Sequence, residues 1–374
     1  MSDQVSTSED GRIIILDALK GAAIIGVMIS HMALSSFSGD LNNPSTLGLG
    51  ELFYAALPLF AIITGYLYKP GRNLGYNMRY RFLPMTAIVL FSIVAMTSVM
   101  FCYLWAAGYD LSDTDFWGDL FNAVIGRGSF SPIEDTEIML GIYDVSFQFY
   151  YLMALIVGDL IFYALVERIV YDWRKVLATV VILQTITCVY IEFVGIQLPF
   201  FIQLGPTMAS LLFIGAFMAR IDVVGYLERG YREKRYWVLF AATAISATVL
   251  ILFFPTGMKF CYSIFGDYGG WSAYTFVAEV VAAGMFLLFV ASFVCRVVPI
   301  ARVLCFIGRY IQLLYITHVL VGRIILSFFV KLNNQTWFPV SSVTNGVLLA
   351  IATMLLILTP LKLKESRMRK ASGY

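Results

Sequence analysis

The sequence predicts an all-α integral membrane protein, a bundle of about ten transmembrane helices with both termini in the cytoplasm. Three observations point there. Of the 374 residues, 60% are hydrophobic and only 13% are charged, against roughly 25% charged in an ordinary soluble domain. Apolar windows of bilayer length recur along the whole chain, and the basic residues gather in every second connection between them.

The windows run over 13–36, 51–68, 83–107, 146–166, 176–195, 199–219, 236–254, 272–295, 303–330 and 340–360. An even number of spans returns the chain to its starting side. With the N-terminus placed in the cytoplasm, the connection after the second span carries Lys69, Arg72, Arg79 and Arg81, and the next inward one carries Arg168, Arg174 and Lys175. The 220–235 cluster follows, then Arg296 and Arg302. With the tails and Arg309, 22 of the 26 basic residues lie inside, and only Arg127, Lys259, Arg323 and Lys331 fall outside. The positive-inside rule thus fixes the orientation.

Residues 1–11 form a polar cytoplasmic tail without the basic segment and cleavage site of a signal peptide, so the first helix is expected to stay as an anchor. The longest connection, 108–145, faces outward and holds eight acids against the single Arg127. Residues 361–374 are a basic cytoplasmic tail, and no polar stretch is long enough for an appended soluble domain. The whole chain, 1–374, therefore reads as one transmembrane domain. Cys102, Cys188, Cys261, Cys295 and Cys305 have no paired or metal-like spacing, and we read them as packing residues. No metal-ligand cluster, Gly-rich phosphate loop or nucleic-acid-binding pattern is present in the sequence, and no two-half repeat of the transporter kind is visible.

The chemistry concentrates on the first helix. It opens Arg12-Ile-Ile-Ile-Leu-Asp17-Ala-Leu-Lys20-Gly21 and runs through nearly pure hydrocarbon to His31. Eleven residues at about 100° each bring Lys20 and His31 onto one helix face, roughly 16 Å apart, with Asp17 within about 40° of the same stripe. A histidine that deep is costly to bury, which marks it as a candidate general base. The other histidine, His318 in the ninth window, is either a second base or a helix-bridging hydrogen bond. Gly308 permits a bend ahead of it, which would set Arg309 at the cytoplasmic mouth within reach of a phosphate. Of the intramembrane acids Glu51, Asp159, Glu192 and Glu279, Glu279 is the deepest from the outer side, a candidate for charge-balancing a histidine.

The stretch Arg12-x-x-x-Leu16-Asp17-x-Leu19-Lys20-Gly21-x-Ala23-Ile24, ending at His31, resembles the opening signature of acyltransferase family 3, multi-pass O-acyltransferases that decorate bacterial surface polysaccharides. Thr64-Gly65-Tyr66-Leu67, Arg79-Tyr-Arg81-Phe-Leu-Pro84 and Gly308-Arg309-Tyr310 through His318 resemble three further stretches of that family. Lys20 stands where relatives carry arginine, and Ser146 stands at a glutamate position of the family's Val-Glu-x-Gln-Phe-Tyr stretch.

The resemblance implies an acyl-CoA donor, acetyl-CoA foremost, entering from the cytoplasm, and a carbohydrate or glycolipid hydroxyl presented from the other side. It implies a catalytic His31, as base or transient acyl carrier, with Lys20 handling the donor. Arg79, Arg81 and Arg309 join Lys20 as expected partners of the CoA phosphates, and Asp17, His318 and Glu279 as supporting groups. The expected location is the bacterial inner (plasma) membrane. A multi-pass transporter or flippase of a polar or lipid-linked solute is the rival reading, with His31, His318 and Glu279 lining a path.

Overall fold

A computed structural model of the chain describes residues 13–35, 57–106, 108, 115–125, 149–194, 196, 198–253, 272–332 and 343–371. In order, the helices are α1 (Ile14–Ser35), α2 (Leu59–Tyr66), α3 (Leu83–Ala106), α4 (Phe116–Ile125), α5 (Tyr150–Ile169), α6 (Trp173–Phe193) and α7 (Gly205–Arg220). There follow α8 (Val223–Gly230), α9 (Lys234–Phe253), α10 (Ser272–Val294), α11 (Val298–Arg309), α12 (Ile311–Leu332) and α13 (Val343–Ala371). Each of the ten apolar windows contains a helix, and there is no strand among the described residues. Among the described residues, five helical segments are long and apolar enough to cross a membrane, or six if the α11–α12 pair is one broken span.

Helix is the form this composition dictates, because in hydrocarbon every backbone group must find its partner within the segment. The boundaries have local causes. Asp172 caps α6 by accepting from the Arg174 amide at 2.9 Å, and Asp222, at φ 51°, caps α8 by accepting from Gly225 at 3.2 Å. Proline occupies the first turn of α7 and α11, where its missing N–H costs nothing. A 3₁₀ segment, Pro199–Leu204, enters α7 through Phe200 (φ 57°) and Phe201 (φ 53°), an unusual pair of bulky residues in the left-handed region.

Three elements depart from the sequence reading. The connection 108–145, expected as an outward loop, contains a helix, α4. The ninth window is two helices meeting at 76° around Tyr310, and the first of them begins at Val298, inside what read as a loop. The bend falls where Gly308 suggested it, so Arg309 ends α11 rather than sharing a straight helix with His318. The last helix continues across Pro360 to Ala371, so most of the basic tail extends it.

The bundle closes on glycine. A Cβ on Gly21 of α1 would collide with the Leu304 carbonyl of α11, and one on Gly308 of α11 would collide with the Asp17 carbonyl of α1. Gly65 of α2 and Gly215 of α7 make the same reciprocal crossing against the backbones of Leu212 and Ile62. Small residues at such crossings are how helices associate in lipid, where apolar burial offers no net drive. Polar glue supplements them. Gln184 of α6 donates to Ser210 Oγ at 2.8 Å and accepts from Thr207 at 3.1 Å, all within a buried seam against α7.

The outward faces of the helices are apolar. Ile88, Phe91, Val94 and Val99 on α3, and Val181, Ile182, Ile186 and Val189 on α6, are all exposed, a continuous surface that demands a bilayer. Exposed Trp173 and Trp237 stand at the starts of α6 and α9, and Trp105 at the end of α3, as interfacial indoles do.

The α1–α11 crossing yields a test. Ala normally stabilises a helix interior relative to Gly by about 0.5–1 kcal/mol, but Gly21→Ala is expected to destabilise this protein by about 1–3 kcal/mol through overpacking. Gly75→Ala, whose Cβ would meet nothing nearer than Asn73 Oδ1 at 3.7 Å, serves as the neutral comparison. Thermal melting in detergent should show the Gly21 variant below wild type and the Gly75 variant level with it.

Candidate functional site

Lys20, one residue before the crossing glycine, turns the other way and lines a cavity of about 400 Å³ between α1, α2, α3, α5 and α12. The volume is within the range of small-ligand sites. Phe60, Ile63, Thr64 and Leu67 supply the α2 wall, a stripe at helical spacing about 10 Å long. Met85, Ile88 and Val89 come from α3, Tyr151, Leu152 and Leu155 from α5, and Ile311, Gln312 and Tyr315 from the first turns of α12. The wall is thus aliphatic with a few polar groups set into it.

Lys20 donates to Asp17 Oδ1 at 3.0 Å, an ion pair one turn along α1 with both side chains largely buried. The carboxylate compensates the charge and holds the ammonium in place, and two of its three N–H groups remain to meet a ligand. The Thr64 hydroxyl donates back to the Phe60 carbonyl at 2.7 Å, leaving its oxygen as an acceptor on the cavity side. The Tyr151 ring packs edge-on to Tyr315, centroids 6.2 Å apart, with the tyrosine only 1% exposed.

The other expected donor-binding cations are not gathered into this cavity. Arg79 is exposed, its guanidinium 5.4 Å above the Tyr80 ring. Arg81 is half-buried and turns toward Asp159 and Tyr163 of α5, one turn before the cavity-lining Met85. Both arginines sit in a π-helical turn, Met78–Phe82, that leads into α3, a local widening often found at functional positions. Arg309, the last residue of α11, is exposed, one turn beyond Cys305.

His318 is fully buried one turn beyond Tyr315. Its Nδ1 faces the Leu314 and Tyr315 carbonyls at 3.1 and 2.9 Å. Carbonyls only accept, so Nδ1 carries the proton, and the neutral ring keeps its basic lone pair on Nε2. Glu279 of α10 is likewise fully buried. His31 lies on α1, eleven residues past Lys20 on the same face by helical register, and its side chain is outside the described residues. So are Glu51, Asp144 and Ser146. Among the described residues, no three His, Cys, Asp or Glu side chains come together as a metal site requires.

The basic end of the bundle is tied by one carboxylate. Glu167 of α5 accepts from the Tyr68 hydroxyl at 2.7 Å, the Gly71 amide at 2.9 Å and the Tyr171 hydroxyl at 3.2 Å, anchoring the segment between α2 and α3. Partial burial, then the Glu167 charge, raise the Tyr171 phenol above its ordinary value. Arg220 stacks over Tyr171 at 4.7 Å and Arg296 over Tyr231 at 3.4 Å, aromatic–cation pairs typical of a membrane–water boundary.

The sequence had no means of selecting Tyr151, Thr64, Gln312 and Tyr315 as lining residues. Thr64 belonged to a recognised stretch, but which of Tyr150 and Tyr151 faces inward depends on the rotation of α5.

The motif residues thus divide between two tasks, with Lys20 and Thr64 on the cavity and Gly21, Gly65 and Gly308 on the crossings that frame it. No curated protein and no solved structure matches the chain. The acyltransferase domain of acyltransferase family 3 does match, over residues 13–359, from the first turn of the first helix to the last. A match of that extent, on a bundle whose family motifs build one cavity, means that the chain belongs to acyltransferase family 3.

Proposed function

We propose that this membrane acyltransferase is an acyl-CoA-dependent O-acyltransferase. It takes an acyl group, acetyl foremost, from the cytoplasmic side and passes it to a hydroxyl of an extracytoplasmic carbohydrate or glycolipid. The observation that carries the reading is the cavity lined by Lys20, a cation at a ligand-sized space; His31 stands eleven residues further along the same helix, about 16 Å by its rise. The cation and the aliphatic walls suit a ligand with a phosphorylated head and a slender arm. The positive-inside pattern supports cytoplasmic termini and a place in the bacterial inner membrane.

In this scheme Lys20, oriented by Asp17, binds donor phosphate with Arg309, while Arg79 and Arg81 extend the cationic approach. His31 removes the proton from the acceptor hydroxyl as its oxygen attacks the thioester carbonyl. The tetrahedral intermediate collapses, the C–S bond breaks, and the departing CoA thiolate takes the proton back from the imidazolium. The ester is left on the acceptor. Glu279 and His318 support the imidazole from the neighbouring helices.

Purified protein given acetyl-CoA and a surface glycan should release free CoA thiol and acetylate the glycan, read by thiol assay and mass spectrometry. His31→Ala is expected to lower that rate by about 10²–10⁴, the usual worth of a positioned base, with unchanged elution in detergent. Full activity in the variant would remove His31 from the chemistry, and solute movement without CoA release would favour a transporter. Lys20→Met should raise KM for acetyl-CoA about tenfold with kcat little changed, the mark of lost ground-state binding, and Lys20→Arg should restore it.

A further inference from the structure

A second cleft, of about 550 Å³, lies away from Lys20, between α6 and α9, with α10 packed against both as its floor. Val180 and Val181 of α6 and Leu239 and Ala242 of α9 form its sides, and Ala278 and Ala282 keep the floor low. Apart from Ser246, which is exposed, its polar side chains are already engaged. Gln184 is bonded to Ser210 and Thr207, the Thr243 hydroxyl donates to the Phe240 carbonyl at 2.9 Å, and the Tyr274 hydroxyl meets Thr185 Oγ1 at 2.6 Å. Such a cleft suits hydrocarbon, since a polar ligand would lose its water there without gaining partners.

Its length and its opening agree. Along α10 it runs from Tyr274 to Met285, eleven residues or about 16 Å, close to one leaflet of a hydrocarbon core about 30 Å thick. Val181 and Leu239 on its sides are each 46% exposed, on the outward surface that demands a bilayer. A lipid chain lying in the cleft touches protein on three sides, against one on a flat helix face.

One end of the cleft is marked by charge. Helix α9 runs antiparallel to α10, with Tyr236 against Ser292 at 2.7 Å and Phe240 against Phe286. On α6, Thr185 stands beside Tyr274 in the first turn of α10, and the lining residues Val180 and Val181 precede it. The first turns of α6 and α9 therefore lie toward the same end, the Met285 end. They carry Arg174, Lys175, Lys234 and Arg235, all exposed, and none of the four is in an ion pair among the described residues. The acids beside them are Asp172, engaged in capping α6, and Glu233. Exposed Trp173 and Trp237 occupy the same two turns, the level at which headgroups meet indoles.

We propose that this cleft holds one acyl chain of an anionic phospholipid from the leaflet on the basic side of the bundle, its phosphate held by the cations of the first turns of α6 and α9. The site is separate from the Lys20 cavity and independent of the acyl-transfer scheme.

Titration of the purified protein in detergent with phosphatidylglycerol and with phosphatidylcholine of the same chains, read by native mass spectrometry, tests it. The first phosphatidylglycerol should bind about tenfold more tightly than phosphatidylcholine, since each nearby cation favours an anionic head. Replacing Arg174, Lys175, Lys234 and Arg235 together by Gln should bring the two lipids level. Ala278→Phe, which sets a ring on the floor, should weaken the first phosphatidylglycerol about fivefold by taking the place of the chain. Ala242→Phe on the side wall repeats that test if Ala278→Phe fails to elute as wild type, and Val189→Phe, on the α6 surface outside the cleft, should bind as wild type.

Equal affinity for the two lipids in wild type overturns the inference, as does a preference that survives the four Gln substitutions. Full phosphatidylglycerol binding in the folded Phe variants overturns it as well. A detergent-stable dimer that Ala278→Phe dissolves gives the cleft to a second copy of the chain, and a co-purifying lipid-linked glycan that phosphatidylglycerol does not displace gives it to that lipid; either result overturns the assignment.

Discussion

The crossing of α1 on α11 is the constraint from which the rest of the site follows. Two backbones approach so closely there that neither Gly21 nor Gly308 can carry a side chain. Because consecutive helical residues point about 100° apart, fixing Gly21 against α11 sends Lys20 toward the cavity. Gly65 repeats the arrangement on α2, where its contact with α7 leaves Thr64 on the cavity wall. Each motif glycine thus determines the aim of the polar residue beside it. The chemical role of a polar residue could be lost here through packing alone, with every polar residue intact.

Much of this architecture is legible in the sequence because lipid imposes simple rules. Each of the ten windows contains helix, though only five or six segments among the described residues are long and apolar enough to cross a membrane, and Gly308 marked the bend before His318. What escaped was set by tertiary contact. The start of α11 at Val298 is amphipathic rather than uniformly apolar, with Ala301 and Ile307 buried while Val298 and Ile300 are exposed, so a hydropathy window passes over it. Helix α4, with one acid among its ten residues, is too short for a bilayer-length window to find. For Arg81, expected beside the donor phosphates at the cytoplasmic face, hydropathy gave no sign of its neighbours Asp159 and Tyr163 of α5.

The site also shows how few charges the interior admits. Lys20 has Asp17 at 3.0 Å, and Arg81 has Asp159 nearby. His318 spends its one proton on its own helix. Leaving such groups without compensation would cost several kcal/mol each, so their pairing permits a polar reaction path through an apolar bundle. The Lys20–Asp17 pair lies one turn along a single helix and needs no neighbour to assemble, which places a fixed dipole at the cavity before any ligand arrives.

The five walls of the cavity are not equally held. Helices α1 and α2 are pinned by glycine crossings, and α5 presses Gly158 against Met208 and Ala209 of α7. Helix α3 has only six buried residues among its 24, and Phe91, Val94, Val99 and Trp105 are exposed on its outer side. Local stability follows buried contact, so the compliance of the cavity is one-sided. If any wall yields to a bulkier ligand it is α3, and the lipid pressing on its outer side would then share in setting the width of the cavity.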